Sequence, residues 1–155
     1  GTKIHHSFII FTGGIEASPI TSQLDVDKNG RGQILVNEYL QTNKYPNIFA
    51  IGDIAEIKNK KGEIMPPNVT VARISGTCAG KNILAMIKNK KMTPCDPKLE
   101  GILIALGGKY AAGNLYGLVH VKGRIAYEIK KYVFSSYRKP LLQLIKAGYK
   151  KLKKL

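Results

Sequence analysis

Two short, almost unbroken apolar runs, each closed by glycine, constrain this chain more than any other feature. His6–Thr12 (His-Ser-Phe-Ile-Ile-Phe-Thr) runs into Gly13-Gly14, and Asn47–Ile51 (Asn-Ile-Phe-Ala-Ile) runs into Gly52-Asp53. A strand with one wet face alternates apolar and polar residues, whereas a strand covered on both faces does not. The runs therefore predict strands of a parallel sheet with helices on each side, an α/β arrangement. Open sheets of this kind bind ligands at the carboxyl ends of their strands. Glycine there lets a ligand approach the backbone closely.

Charge adds a second constraint. Lys and Arg number 25 against 10 Asp and Glu, a net +15. Ten of the basic residues fall between Arg124 and Leu155, where Glu128 is the lone acid, so the tail carries +9 of that total. Such a surplus calls for nucleic acid, anionic lipid or phosphorylated ligands. Hydrophobic residues make up 44% of the chain, which excludes disorder throughout. No apolar run reaches the ~18 residues of a membrane span. The opening Gly-Thr-Lys-Ile-His-His has no Met and no targeting layout, so a piece of a longer protein is expected. Cys78 and Cys95 are too few for a disulfide framework and form no C-x-x-C pair, so a reduced, cytosolic setting is expected, with Cys78 a buried thiol.

Between the apolar runs, Lys28–Gly32 reads as a turn and Gln33–Val36 as a short strand, with Leu40 and Gln41 leading into a loop. Lys58–Glu63 reads as a hairpin or loop. Asn68 after Pro66-Pro67 is the expected N-cap of a helix from about Val69 to Lys88. That helix is rich in slim residues (Val71, Ala72, Ser75, Gly76, Ala79, Gly80), which suit close packing on a sheet or the approach of a flat ligand. Pro94–Pro97 reads as a linker. Beyond it, Gly101–Leu106 and Leu115–Val121 are expected to form a hairpin, with Gly107-Gly108 and Asn114 as turn residues. Two amphipathic helices, Arg124–Arg138 and Leu141–Leu155, are expected on either side of Pro140. The first places Ile125, Ile129, Tyr132, Val133 and Tyr137 on one stripe, and the second keeps most of its lysines opposite its leucines.

The string Tyr45–Ala55, with Thr12-Gly13-Gly14 upstream and Pro66-Pro67 plus the slim helix downstream, resembles the C-terminal part of the FAD-dependent pyridine nucleotide–disulfide oxidoreductase superfamily. Within it, the order is similar to type II NADH dehydrogenases, the single-subunit NADH:quinone oxidoreductases. The resemblance implies that residues 1–97 are the C-terminal part of a Rossmann-like FAD-binding domain. Residues 98–155 are then a small C-terminal domain, a β-hairpin plus amphipathic helices that attach to a membrane and border the quinone site. As an isolated piece this would be α+β.

The cofactor-binding residues implied are Thr12, Gly13 and Gly14 at the flavin, Gly52 for close approach, and Asp53 for the ribityl chain. Thr70, Val71 and Ala72 are implied at a helix end that, with Asn68 and Val69, favours negative charge on the flavin. No catalytic side chain and no metal is implied. NADH would be the substrate, FAD the cofactor, quinone and an anionic membrane surface the partners, and the cytoplasmic face of the membrane the location. A homodimer through exposed strand edges is also expected. No strand–Gly-x-Gly-x-x-Gly–helix fingerprint occurs, so the piece alone is expected to be inactive.

Two other readings remain open at this point. One is a different FAD-dependent reductase, such as a sulfide:quinone reductase. The other is a non-catalytic basic module that binds membrane or RNA. His5, His6 and His120 lack metal-ligand partners at useful spacing. The eight tyrosines come without a nucleic-acid motif, so interfacial anchoring is the better account and no nucleic-acid partner is expected.

Overall fold

The computed structural model describes residues 3, 5, 7–10 and 13–152, with the backbone alone at 144 and 146–152, and the chain divides into two units, Gly1–Lys98 and Leu99–Leu155.

Three asparagines organise the first unit. Asn29, Asn37 and Asn59 each use Oδ1 to accept N–H groups two and four residues ahead, at 2.9–3.0 Å. Each Nδ2 donates to the side chain four residues on: Gln33, Gln41 and Glu63. A left-handed residue stands three after each asparagine: Gly32 (φ +74°), Leu40 (φ +70°) and Gly62 (φ +79°). Leucine pays ~1–2 kcal/mol for that conformation. Leu40 is only 1% exposed, and burying a leucine contributes ~1.5–3 kcal/mol, so packing wins.

These turns bring together a two-stranded parallel sheet, β1 (Ile34–Leu35) and β2 (Ala55–Glu56), with Ile34 opposite Ala55. Helix α1 (Val69–Ile87) starts at Asn68, whose Oδ1 accepts the Val71 N–H at 2.9 Å. Its buried residues Val71, Ser75, Ala79 and Asn82 form one stripe. Ile34, Ala55 and Ile57 are buried in this unit with Val71 and Ala79. The unit is α/β, but the two predicted buried strands are not strands here. Phe8, Ile9 and Ile10 are 80%, 65% and 74% exposed, and no strand forms among the described residues of 6–12; His6 and Thr12 lie outside them. Asn47 lies in a turn, and Phe49 makes one antiparallel bridge, to Gln41. A doubly covered strand needs neighbours on both edges and helices on both faces, and a two-residue sheet supplies neither.

The two cysteines are also not as expected. Cys78 on α1 and Cys95 are joined in a disulfide with Cα atoms 5.7 Å apart. The chain turns back after α1 and lays Thr93 along Asn82, which brings residue 95 beside residue 78. Asp25 ties another pair of turns together. It accepts from the Lys44 ammonium and, at 3.1 Å, from the Tyr45 hydroxyl. The Lys44 hydrogen bond, then that of Tyr45, holds the Asp25 carboxyl below the usual range. A depressed carboxyl stabilises above its unfolded pKa, and that contribution disappears as pH falls through the folded value. Asp25→Asn should therefore lower stability at neutral pH and match the native chain in strong acid. Urea unfolding across pH checks this, and a difference that persists in acid would contradict it. High salt should shrink the difference, because the pair is exposed.

The second unit is a three-stranded antiparallel meander, β3 (Gly101–Gly107), β4 (Tyr110–Leu115) and β5 (Val119–Lys122), followed by helix α2 (Gly123–Leu152). The expected hairpin lacked β4. Its Ala111-Ala112-Gly113-Asn114 sequence resembles a turn, yet it pairs with both neighbours, Leu103 opposite Gly113 and Gly113 opposite Val121. The actual second turn is Tyr116-Gly117, both left-handed, as a tight hairpin requires. The two expected tail helices are one. Pro140 removes one helical hydrogen bond but the turns on either side continue. Ala126 is fully buried, and Lys130 Nζ donates to Leu103 O at 2.6 Å, so the sheet-facing side of α2 is not the Ile125–Tyr132 stripe; those two are 72% and 76% exposed.

Candidate functional site

The candidate site lies where a short 3-10 turn, Gly52–Ile54, packs against the first half of α1. Gly52 has φ +66°, a conformation that L side chains rarely adopt, and a Cβ there would meet Ala72 Cβ at 3.5 Å. The Gly52 N–H donates to Ser75 Oγ at 3.1 Å, and Ser75 Oγ donates to Ala72 O at 3.0 Å. A buried serine thus clamps the glycine turn to the helix. Asp53 is exposed, and its carbonyl accepts from Gln33 Nε2 at 3.1 Å.

Of the predicted residues, the fold brings Gly52, Asp53 and Ala72 together, with Val71 one residue away in the buried stripe and Thr70 half-buried at the helix start. The amides of Val71 and Ala72 are taken by Asn68, through Oδ1 and the carbonyl respectively. This helix end therefore acts on a neighbour by its partial positive charge rather than through those two N–H groups. Gly13 and Gly14 are exposed, with open space where a Gly14 Cβ would stand. Thr12 lies outside the described residues. Sequence reasoning missed Ser75 and Gln33 as the groups that hold Gly52 and Asp53 in place. Ser75 had registered merely as one slim residue among several, and nothing in the string around Gln33 marks it.

The residues present suit a flavin dinucleotide. An exposed carboxylate offers acceptors for sugar-like hydroxyls, a positive-φ glycine beside it lets the turn lie close against α1, and the positive end of that 19-residue helix lies in the same neighbourhood.

The comparisons agree with that chemistry. Residues 1–76 match the model of the pyridine nucleotide-disulphide oxidoreductase family. The chain is 33% identical over 116 residues to the type II NADH:quinone oxidoreductase of Haemophilus influenzae, covering 74% of this chain and 26% of that protein. It is 31% identical over 135 residues to the demethylphylloquinone reductase NdbB of Synechocystis, covering 87% and 33%. With the alternative NAD(P)H-ubiquinone oxidoreductase C1 of Arabidopsis thaliana it shares 30% identity over 115 residues, covering 70% and 22%. The chain thus spans between about a fifth and a third of the length of these relatives. With its Gly52-Asp53 turn clamped on α1, the chain belongs to the pyridine nucleotide-disulphide oxidoreductase family.

Proposed function

We propose that this chain forms part of an FAD-dependent NADH:quinone oxidoreductase that associates peripherally with a membrane. The observation that carries the reading is the Gly52-Asp53 turn held by Ser75 against the start of α1. The relatives' names supply the substrates, since NADH or NAD(P)H and a quinone recur in them. Bound FAD would supply the two-electron chemistry between them. The chain's own residues bind and orient. Asp53 would accept hydrogen bonds from the ribityl hydroxyls, Gly52 would allow close approach, and Gly13 and Gly14 would line the flavin region, the role also expected of Thr12 from the sequence. Thr70, Val71 and Ala72 carry the helix end whose partial charge favours a negative group facing it.

The second unit supports the membrane part of this reading. No described helix is long and apolar enough to cross a membrane. Helix α2 instead exposes Tyr132, Phe134, Leu141 and Ile145 among its lysines, as an interfacial helix does. The cytoplasmic face, with its anionic lipid, suits those lysines. Pairing of an outer strand of the β3–β4–β5 sheet would give a homodimer.

The test uses the natural polypeptide that carries this sequence, purified from membranes. Its visible spectrum should show flavin that bleaches with NADH without oxygen and recovers on adding quinone. Asp53→Asn should retain FAD about tenfold less well, the loss of one charge-assisted hydrogen bond. A colourless protein after incubation with FAD would overturn the reading and favour a basic membrane- or RNA-binding module. Bleaching by sulfide but not NADH would favour the sulfide:quinone reductase reading instead.

A further inference from the structure

The stretch that precedes the boundary at Lys98 is tied to the first unit at several points. Asn82 Nδ2 donates to Thr93 O at 3.0 Å, and the Thr93 N–H donates to Asn82 Oδ1 at 2.9 Å. The Cys95 N–H donates to Glu38 O at 2.7 Å, and the Lys60 N–H donates to Asp96 Oδ1 at 3.0 Å. Each of these is a weak, reversible contact. The Cys78–Cys95 bond is covalent and spans 17 positions of sequence.

Its two sulfurs sit in different surroundings. Cys95 is 3% exposed and forms part of the wall of a cavity of about 480 Å³, which also carries Glu38, Lys58 and Lys60. Cys78 is half-buried and thus the more accessible partner. Lys58 also reaches Glu56 at 3.5 Å, so its charge is partly shared. None of the predicted flavin residues lines this cavity.

We propose that Cys78–Cys95 is a thiol–disulfide exchange site that accepts electrons from a dithiol, and that opening it leaves Thr93–Asp96 held to the first unit by hydrogen bonds alone. A thiolate of the dithiol attacks the Cys78 sulfur. The Cys78–Cys95 bond breaks, a mixed disulfide forms at Cys78, and Cys95 leaves as a thiolate into the cavity beside Lys58 and Lys60, where positive charge favours it. The second thiol of the reductant then attacks the mixed disulfide and expels the Cys78 thiolate. Both protein thiolates take up protons, so two electrons and two protons pass to the protein and the dithiol becomes a cyclic disulfide. The residual hydrogen bonds of Asn82, Glu38 and Lys60 then hold the segment alone.

The chain itself tests this, with dithiothreitol as the probe. Without denaturant, both cysteines should resist alkylation before reduction and react together after it, and oxidised dithiothreitol should restore the bond. Trypsin reads the release. Lys88, Lys90 and Lys91 lie inside the closed loop, so a cut there leaves two pieces joined on a non-reducing gel. Cleavage at Lys98 and within Lys88–Lys91 should run about tenfold faster in the reduced chain, because a local opening suffices for cleavage. Cys78→Ser should be cut at the fast rate with or without dithiol. Reduction of the unaltered chain is decisive even if that variant fails to fold. Thiols that react singly, a bond that opens only in denaturant, or equal cleavage rates before and after reduction would each overturn the proposal.

Discussion

Gly113→Ala is expected to cost the second unit at least about 3 kcal/mol, the upper end of the ordinary range for overpacking. A Cβ at this position would lie 1.8 Å from Ile102 O, 2.8 Å from the Ile102 carbonyl carbon and 2.9 Å from Leu103 Cα. All three atoms are backbone, so no rotamer change relieves the clash; β3 and β4 must separate. The position is central, since Gly113 pairs with Leu103 on one side and Val121 on the other. Separation would also uncover Ala111, which is fully buried. A unit of this size has little stability to lose. Gly108→Ala is the control. It has φ +53° but nothing within 4 Å of its Cβ, so it should cost only ~1–2 kcal/mol. Urea unfolding of the full chain followed by circular dichroism measures both. Equal losses for the two variants would show that β3 and β4 take up the added methyl by small shifts, so that their close approach at Gly113, which carries no left-handed strain, does not set the cost.

What could be read in advance followed from residues whose local chemistry is self-sufficient. Asn68 caps α1 because an asparagine after Pro-Pro and before a helical pattern has few other uses. The turns at Lys28–Gly32 and Lys58–Glu63 contain both the asparagine and the glycine that such a loop needs. The third loop of the same geometry was illegible because Leu40 fills the left-handed position, a choice favoured by burial that no local rule contains. The Gly113 strand was misread for a related reason: glycine marks both turns and close strand approach, and composition does not separate them. The cysteine pair depends on how the chain returns after α1, a tertiary fact. The apolar runs at 6–12 and 47–51 form no strand among the described residues, because a buried strand needs partners along both edges and Phe49 has a single bridge, to Gln41. At the site, the string announced Gly52 and Asp53, while the clamp on them, Ser75 and Gln33, came only with the fold.

Asn82→Ala should destabilise the first unit by about 3 kcal/mol, because it removes three hydrogen bonds of a buried side chain at once. Asn82 is 2% exposed and joins three partners: Tyr39 O at 3.2 Å, Thr93 O at 3.0 Å and the Thr93 N–H at 2.9 Å. Alanine removes all three bonds, each a net contribution of ~1 kcal/mol. Asn82→Leu restores volume but not partners, so it should be nearly as damaging. Asn82→Asp separates donor from acceptor function. It keeps an acceptor for the Thr93 N–H but turns a carboxylate toward two carbonyl oxygens, in a buried place where charge is disfavoured. Its folded pKa should therefore rise above the unfolded value. Folding then takes up a proton, so the variant is weakest at high pH and recovers as pH falls through the raised value toward the unfolded one. The alanine variant carries no such group and should show no added pH dependence. Parallel urea titrations at several pH values separate the cases. If Asn82→Leu and Asn82→Asp kept native stability at every pH while Asn82→Ala did not, packing volume rather than hydrogen bonding to Tyr39 and Thr93 would be what position 82 provides.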